Sequence, residues 1–146
     1  MRKERRIIMN TKTYTTLPQE AKDIRIEVFV KEQGFENEFD EIDTISHHIV
    51  AFDERKPIGT CRFFKENDHY TIGRVAVLKE YRNQHLGNLL LESAENEIKK
   101  LNGDLIVVHA QVRIHPFYEK QGYIQFGQID DDEGVPHMWM KKKIQY

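Results

Sequence analysis

The most constraining feature of this sequence is a continuous segment, residues 74–101, that reads as a strand, a loop and a helix in direct succession. Residues 74–78 are rich in β-branched side chains, which favours a strand. After the loop, apolar residues recur at the spacing of an amphipathic helix: Leu86, Leu89, Leu90, Ala94, Ile98 and Leu101. The start of such a helix has unpaired backbone N–H groups and a partial positive charge. The segment therefore predicts an anion site for a phosphate or pyrophosphate.

The loop at residues 82–88 has a single glycine. It therefore lacks the Gly-Lys-Ser/Thr sequence of a P-loop and the three spaced glycines of a dinucleotide-binding fold. With its flanking strand and helix, it resembles the acetyl-CoA-binding segment of the GNAT superfamily of N-acetyltransferases, Arg/Gln-x-x-Gly-x-Gly/Ala. Arg82 and Gly87 match, whereas His85 stands at the first glycine and Asn88 at a small residue. The resemblance implies that CoA is bound by this loop and the strand before it: Val75, Ala76, Val77, Arg82, Asn83, Gln84, His85, Leu86, Gly87 and Asn88. We expect Gly87 to lie at positive φ or beneath the pyrophosphate.

A second motif, FYEKQGY at residues 117–123, follows a predicted buried strand. It resembles the late GNAT segment Phe-Tyr-x-x-x-Gly-Phe/Tyr and lies one strand beyond the cofactor helix, as in that family. By this resemblance Tyr118 is the general acid that protonates the departing CoA thiolate, and Phe117 is part of the pantetheine wall. Gln111 stands where many relatives have Asn and is expected to contact the cofactor. The unperturbed pKa of tyrosine, near ~10, would keep Tyr118 protonated at neutral pH.

Further segments, spread over roughly residues 18–140, resemble the ElaA-like (also YjcF-like) bacterial GNAT proteins. They are RIEVFVKEQ at 25–33, the acidic loop ending near Asp43, His48, Gly73-Arg74-Val75, Ala110-Gln111 and GVPH at 134–137. This resemblance places the acceptor beside four residues: Arg25, Gln33, Asp43 and His137. Arg25 and Glu32 could equally be surface charges or structural partners.

The chemistry requires a proton acceptor, because only a neutral amine attacks a thioester, and a hydrogen-bond donor for the negative charge that develops on oxygen. The sequence offers several bases and singles out none of them: Glu32, Asp43, His48, His109 and His137. We carry Glu32 and His48 forward as catalytic candidates. If the strand at residues 75–77 splays from the strand at residue 105, as GNAT strands do, its free N–H groups can bind pantetheine and the acetyl oxygen.

The predicted elements follow the order β-α-β-β-β-α-β-α-β-β, a mixed α/β fold with helices on both faces of a mostly antiparallel sheet, as in GNAT proteins. Strands are predicted at residues 11–17, 48–51, 58–64, 69–78, 105–108, 123–127 and 137–142, and helices at 20–33, 86–101 and 116–121. The length of 146 residues suits one domain. We therefore predict a flexible N-terminal tail at residues 1–9 and a single N-acetyltransferase domain at residues 10–146.

Composition argues against several other classes of protein. With 22 basic and 24 acidic residues, the formal charge of −2 does not suggest general nucleic-acid affinity. No apolar run approaches the ~20 residues of a membrane span, and the N-terminus does not resemble a signal peptide. The single Cys61 rules out an internal disulfide and offers no zinc cluster. We therefore predict a cytoplasmic protein with no metal, no nucleic-acid partner and no membrane partner.

Taken together, these patterns predict an acetyl-CoA-dependent N-acetyltransferase that modifies a primary amine of a small molecule or peptide by direct attack in a ternary complex. Six acidic residues and no basic one lie between Glu32 and Asp43, either as a solvated loop or as an electronegative lip that attracts a cationic amine. The alternative function is an acyl-CoA-binding or sensor domain of the same fold without transferase activity, suggested by His85. The oligomeric state stays open, with a homodimer as one alternative.

Overall fold

The predicted strands and helices each have an apolar face, which they can bury only by packing a layer of helices against a sheet. The computed structural model describes residues 9–145. The strands are β1 (Met9–Tyr14), β2 (His47–Asp53), β3 (Lys56–Glu66), β4 (His69–Val77), β5 (Leu105–Gln111), β6 (Ile124–Asp132) and β7 (Val135–Lys143). The helices are α1 (Gln19–Arg25), α2 (Leu86–Lys100) and α3 (His115–Lys120). The predicted order of elements and the mixed α/β class are confirmed.

Two boundaries near the N-terminus differ from the prediction. The predicted tail lies outside the described residues except for Met9, which is the first residue of β1. The predicted first helix is α-helical only as far as Arg25 and continues as a π-helical segment, Ile26–Glu32. Short 3-10 turns, which the sequence pattern did not predict, are present at Glu41–Thr44, Lys79–Tyr81 and Val112–Ile114.

The sheet has the strand order β1-β2-β3-β4-β5-β7-β6. Neighbouring strands are antiparallel except for β4 and β5, which are parallel. The last strand, β7, therefore lies between β5 and β6, so that β6 is an edge strand. Alternation in β2 shows how the sheet is covered, because Ile49 packs in the core beneath α2 and Val50 in the core beneath α1. A strand buried on both faces is typical of a sheet between two helical layers.

The functional geometry depends on where β4 and β5 separate. Their pairing ends at Ile72 with Val108, although β4 continues beside β3 and β5 continues beside β7. The separation coincides with a bulge, because two residues of β4, Arg74 and Val75, face Cys61 of β3. Arg74 has a φ of 53°, a left-handed conformation that is uncommon for a residue with a side chain. Bulges bend a strand and end its pairing, and this one opens a gap between residues 73–77 and 109–111 that we call the wedge.

Candidate active site

Two cavities adjoin the wedge. The loop cavity, of about 680 Å³, is lined by Val77, Tyr81, Arg82, Asn83, His85, Leu86, Gly87, Asn88, Ile114, Phe117, Lys120 and Gln121. The wedge cavity, of about 500 Å³, is lined by residues from the acidic loop, β3, β4, β5, α3 and the β6–β7 hairpin. Ile114 lines both cavities, so they meet at the end of β5.

The loop cavity is shaped by the turn that leads into α2. Asn83 and His85 have φ values of 66° and 61°, and His85 occupies the N-cap position of the helix. Histidine is among the residues that adopt this left-handed conformation most readily. Of these two left-handed residues, His85 is the one that stands where the family pattern has its first glycine. The first turn of α2 contains no acidic side chain, so the positive end of the helix dipole is not neutralised locally.

Gly87 is needed for close packing and not for a left-handed turn. Gly87 does not have a positive φ, which corrects the expectation that it would adopt a left-handed conformation. A Cβ at this position would lie 3.1 Å from Cζ of Phe117. The missing side chain therefore lets the Phe117 ring pack against the first turn of α2 and form one wall of the loop cavity.

Arg82 is held in place at the rim of the loop cavity. Its Nε donates to the carbonyl of Val77 at 3.0 Å, and its Nη2 donates to Oε1 of Glu32 at 2.9 Å. The hydrogen bond from Arg82 lowers the pKa of Glu32, and Glu32 lines neither cavity. This corrects the prediction that Glu32 could serve as the base, because its carboxylate is paired with Arg82 on the loop side.

Tyr118 lines the wedge cavity. It is 5% exposed, and its hydroxyl makes no hydrogen bond with the residues that the structure describes. Its ring packs edge-on against Phe117 and Tyr123 at centroid distances of 5.0 and 5.8 Å. Burial raises the pKa of Tyr118, so the phenol stays protonated at neutral pH. The side chain is therefore fixed by packing while its proton remains available to the cavity.

The acidic loop is solvated only in part: Glu32, Glu36, Asp40 and Glu41 are exposed, whereas two of its carboxylates turn inward, which neither prediction included. Glu38 and Asp43 are 4% and 6% exposed, and they face arginines from three elements, of which Arg25 and Arg62 are buried and Arg74 is partly exposed. The ion pairs are Arg25 with Glu38 and Asp43 at 2.7 Å each, Arg62 with Asp40 at 2.6 Å and Asp43 at 2.8 Å, and Arg74 with Glu38 at 3.0 Å. Nε of Arg62 is buried and has no partner among the described residues. We call these six residues the ion-pair cluster.

Arg25, Asp43 and His48 belong to the structural support of the site. Arg25 is 1% exposed and uses its guanidinium on the ion-pair cluster, so it cannot contact an acceptor as predicted. Burial opposes ionisation of Asp43, but hydrogen bonds from Arg25 and Arg62 outweigh it and lower the pKa to about 2. His48 is 1% exposed, its Nε2 lies 3.0 Å from the carbonyl of Asp43, and burial lowers its pKa. None of the three lines either cavity, which corrects the prediction of His48 as a base.

Gln33 and Gln111 join the end of the first helix to the end of β5. Nε2 of Gln111 donates to Oε1 of Gln33 at 2.8 Å, and Nε of Arg113 donates to Oε1 of Gln111 at 2.9 Å. Gln111 lines the wedge cavity and not the loop cavity, so the structure does not place it beside the predicted cofactor loop. Gln33 lines neither cavity and acts through this hydrogen bond.

The remaining predicted residues divide between the cavities and the core. Val75 lines the wedge cavity, whereas Val77 lines the loop cavity. Ala76 is 3% exposed and packs in the core beneath α1, and Gln84 is exposed outside both linings. His137 lines the wedge cavity, with its Nδ1 2.8 Å from the carbonyl of Val135.

The comparisons with known proteins agree with this geometry. A family model described as an acetyltransferase (GNAT) domain matches residues 14–144. The chain belongs to this family. The Bacillus subtilis (strain 168) protein named uncharacterized N-acetyltransferase YjcF is 34% identical over 122 residues, which cover 82% of this chain and 87% of that protein.

Two crystal structures share the GNAT fold with this chain. An acyl-CoA N-acyltransferase from Pseudomonas aeruginosa has a TM-score of 0.81 at 23% identity. Escherichia coli ElaA has a TM-score of 0.80 at 23% identity. Each comparison covers 94% of this chain and 99% of the other. The predicted resemblance to the YjcF-like and ElaA-like GNAT proteins is confirmed, and family membership supports an acyltransferase activity.

Several residues of the GNAT site were not predicted from the sequence. Glu38, Asp40, Arg62, Arg74, Trp139 and Asp132 line the wedge cavity, and Lys120 lines the loop cavity. For β7 the sequence contained a usable signal. His137 and Trp139 are two positions apart, so in a strand their side chains lie on the same face. The arginines gave no local signal, since each reaches the acidic loop from a different part of the chain.

Two further features of the GNAT chain concern possible partners. Across residues 9–145, His, Cys, Asp and Glu side chains form no group of three or more that could hold a metal ion. None of the helices in the described part of the chain has the length and apolar character that crossing a membrane requires.

Proposed function

We propose that this protein is an N-acetyltransferase that transfers the acetyl group of acetyl-CoA to a primary amine by direct attack in a ternary complex. The observation that carries the proposal is the meeting of the two cavities at Ile114, beside the wedge between β4 and β5. An amine in the wedge cavity could reach a thioester whose CoA portion occupies the loop cavity. Acetyl-CoA would supply an acetyl group activated as a thioester. We infer that residues 10–146 work as one cytoplasmic domain.

The loop cavity has the features that CoA requires. The start of α2 offers unpaired N–H groups and a partial positive charge to the pyrophosphate. Arg82 and Lys120 add positive side chains to the lining, and Phe117 supplies an apolar wall for pantetheine. Residues 75–77 of β4 are not paired with β5. The Val77 carbonyl accepts from Arg82, and the other backbone groups of this stretch that face the wedge are left for pantetheine and the acetyl oxygen. These residues fit the cofactor without requiring a change of fold.

Tyr118 is the proposed proton donor to the departing thiolate. Tyr118 lines the wedge cavity, its hydroxyl has no hydrogen-bond partner among residues 9–145, and packing against Phe117 and Tyr123 fixes the ring. Cys61 does not compete as a nucleophile, because it is 1% exposed and burial raises its pKa to about 12. Direct attack by the amine is therefore favoured over an acetylated enzyme.

The charges around the wedge cavity favour a cationic acceptor. Four carboxylates line it, on Glu38, Asp40, Asp132 and Glu133, against two guanidinium groups, on Arg62 and Arg74. Both arginines are already paired within the ion-pair cluster, whereas Asp132 lies in the exposed hairpin. A cavity with excess negative charge concentrates cations at its mouth. A small-molecule amine and a peptide amine both meet this requirement.

Thiol release from acetyl-CoA tests the proposal. The amine panel would be spermidine, phenethylamine and a lysine-containing peptide, each measured with and without the protein. We expect thiol release that depends on both the protein and the amine. Tight CoA binding without thiol release for any of these amines would instead support the acyl-CoA-binding alternative.

A further inference from the structure

His137 occupies a distinctive position at the open end of the wedge. It lies on β7 opposite Gln111, the last residue of β5 that pairs with that strand. The residue is 6% exposed, and it lines the wedge cavity together with Tyr118. A side chain in this position faces the space where an acceptor amine would meet the acetyl group.

The hydrogen bonding of His137 determines where its proton lies. Nδ1 is 2.8 Å from the carbonyl oxygen of Val135, and a carbonyl can only accept a hydrogen bond. Nδ1 therefore carries the proton in the neutral ring, which leaves a lone pair on Nε2. Nε2 has no hydrogen-bonding partner within residues 9–145. The ring thus offers a basic nitrogen to the wedge cavity.

The neighbouring side chains pack around the His137 ring. An irregularity in the pairing of β6 with β7, between Phe126 and Asp130, places Asp130 opposite His137. Oδ1 of Asp130 lies 2.6 Å from Nε2 of His109, whose ring is stacked on Trp139 and lies 4.7 Å from the His137 ring. The hairpin also brings the carboxylates of Asp132 and Glu133 to the cavity.

We infer that Nε2 of His137 accepts the proton that the acceptor amine loses during transfer, an inference that rests on the proposed function. The cationic acceptor first releases one proton to water, and the neutral amine nitrogen then forms a bond to the acetyl carbon while the carbon–sulfur bond breaks. The leaving sulfur takes the proton of Tyr118, and the proton on nitrogen passes to His137. Water then removes the proton from His137 and returns one to Tyr118, which restores the starting state.

Other groups in the cavity are less suited to this role. The titratable and charged groups that line the cavity with His137 are Glu38, Asp40, Arg62, Arg74, His109, Tyr118, Asp132 and Glu133. Burial raises the pKa of Glu38, but its Oε2 lies 2.7 Å from Arg25 Nε and 3.0 Å from Arg74 Nε. Protonation of Glu38 would therefore leave buried guanidinium groups without their counter-charge. His109 already uses one nitrogen on Asp130.

His137→Asn tests the inference, because an amide can still donate to the Val135 carbonyl but cannot take a proton at neutral pH. The matched control is His115→Asn. Nδ1 of His115 lies 2.7 Å from the backbone carbonyl of Val112, so this histidine has the same kind of hydrogen bond as His137, but it lines neither cavity. With the best amine of the panel, we expect H137N to lower kcat by ~10²- to 10⁴-fold and to remove the acidic limb of the kcat/KM pH profile. We expect H115N to behave as the wild type, and both variants to keep their affinity for CoA.

The outcomes separate this inference from the proposed function. If the wild type releases no thiol with any amine of the panel, the proposed function fails and the inference fails with it. If the wild type is active and H137N retains the rate and pH profile of H115N, only the inference is overturned, and His109→Asn then tests the neighbouring ring. If H137N does not fold, nitrogen NMR of the histidines in the wild type provides the test. A His137 that is protonated on Nε2 at neutral pH contradicts the inference. An unprotonated Nε2 whose NMR signal shifts when the active amine is added supports it.

Discussion

The loop cavity and the wedge cavity are built in different ways. The loop cavity takes its lining from two short stretches of chain, residues 77–88 and 114–121. The wedge cavity takes its lining from segments that range from Phe29 to Trp139. The first cavity depends on the start of one helix, and the second depends on long-range contacts. Local sequence patterns therefore predict the proposed cofactor side of this protein far better than the proposed acceptor side.

The two cavities also differ in how they manage charge. At the loop cavity, positive potential comes from the start of α2 and from Lys120, whereas the charge of Arg82 is paired with Glu32. At the wedge cavity, charge is carried by the buried ion-pair cluster, in which Arg25, Arg62 and Arg74 oppose three carboxylates. Paired buried charges hold a fixed geometry, but removing one partner leaves the other without compensation. Substitutions in the ion-pair cluster should therefore affect stability, and substitutions at the loop cavity should affect CoA affinity.

The largest expected effect is on stability, through Arg25→Met. The substitution leaves Glu38 and Asp43 without a partner that binds both, and breaking such a buried pair costs ~3–5 kcal/mol of unfolding free energy. Urea denaturation measures this loss. The control is Lys31→Met, which breaks an exposed ion pair with Glu27 in the adjoining π-helical segment and should cost less than ~1 kcal/mol. Equal stability of the two variants would contradict the structural role of the ion-pair cluster.

Tyr118→Phe should affect turnover and leave both cavities intact. It removes the proposed proton donor while the ring keeps its packing, so kcat should fall toward ~10²-fold, the lower part of the general-acid range, because a thiolate is a tolerable leaving group. CoA affinity should be unchanged. Tyr123→Phe is the control, since Tyr123 is buried beside Tyr118 but donates to Glu95 and lines neither cavity. Should Y118F turn over within about threefold of the wild type at every pH, the proton comes from water.

Gly87→Val should weaken CoA binding without affecting the wedge cavity. Because a Cβ at this position already meets Phe117 at 3.1 Å, a branched side chain must displace the ring that walls the loop cavity. We expect a loss of ~1–3 kcal/mol of CoA binding free energy, measured by calorimetry. The double variant G87V/F117L should recover part of this loss. Equal CoA affinity in the wild type and G87V would argue against this site for CoA.

His85→Gly should have the smallest effect of the series. His85 already has a φ of 61°, so glycine can adopt the same turn, and CoA affinity should change by less than about tenfold, or ~1.4 kcal/mol. Gln84→Gly controls for added backbone freedom, because Gln84 is exposed and lines neither cavity. If H85G binds CoA and the wild type does not, acetyl transfer by the natural chain is contradicted, and a degenerate domain of the same fold is favoured.

Much of the fold could be predicted because its signals are local. The helix from Leu86 and the strand before it were visible as apolar periodicity, and the order of elements followed from the same patterns. The position of β7 between β5 and β6 was not predictable in this way, because strand pairing depends on contacts between distant residues. The bulge at Arg74 was also missed, because its left-handed position is taken by an arginine, which rarely adopts this conformation, and not by the neighbouring Gly73.

The wedge cavity shows why charge patterns are harder to interpret. The acidic run from Glu32 to Asp43 was predicted to be either solvated or a lip, yet Glu38 and Asp43 are buried against arginines. The run itself contains no basic residue, and its partners lie up to 36 positions away, as for Arg74 and Glu38. A buried carboxylate is stabilised only by such partners, which a local pattern does not reveal.

The most direct test of the account is the initial rate of thiol release with acetyl-CoA and the best amine both varied. Direct attack in a ternary complex, with the two cavities occupied together, predicts double-reciprocal lines that intersect. Parallel lines, together with an acetyl group trapped on Cys61 or another residue of the protein, would show transfer through an acetylated enzyme and would contradict the account.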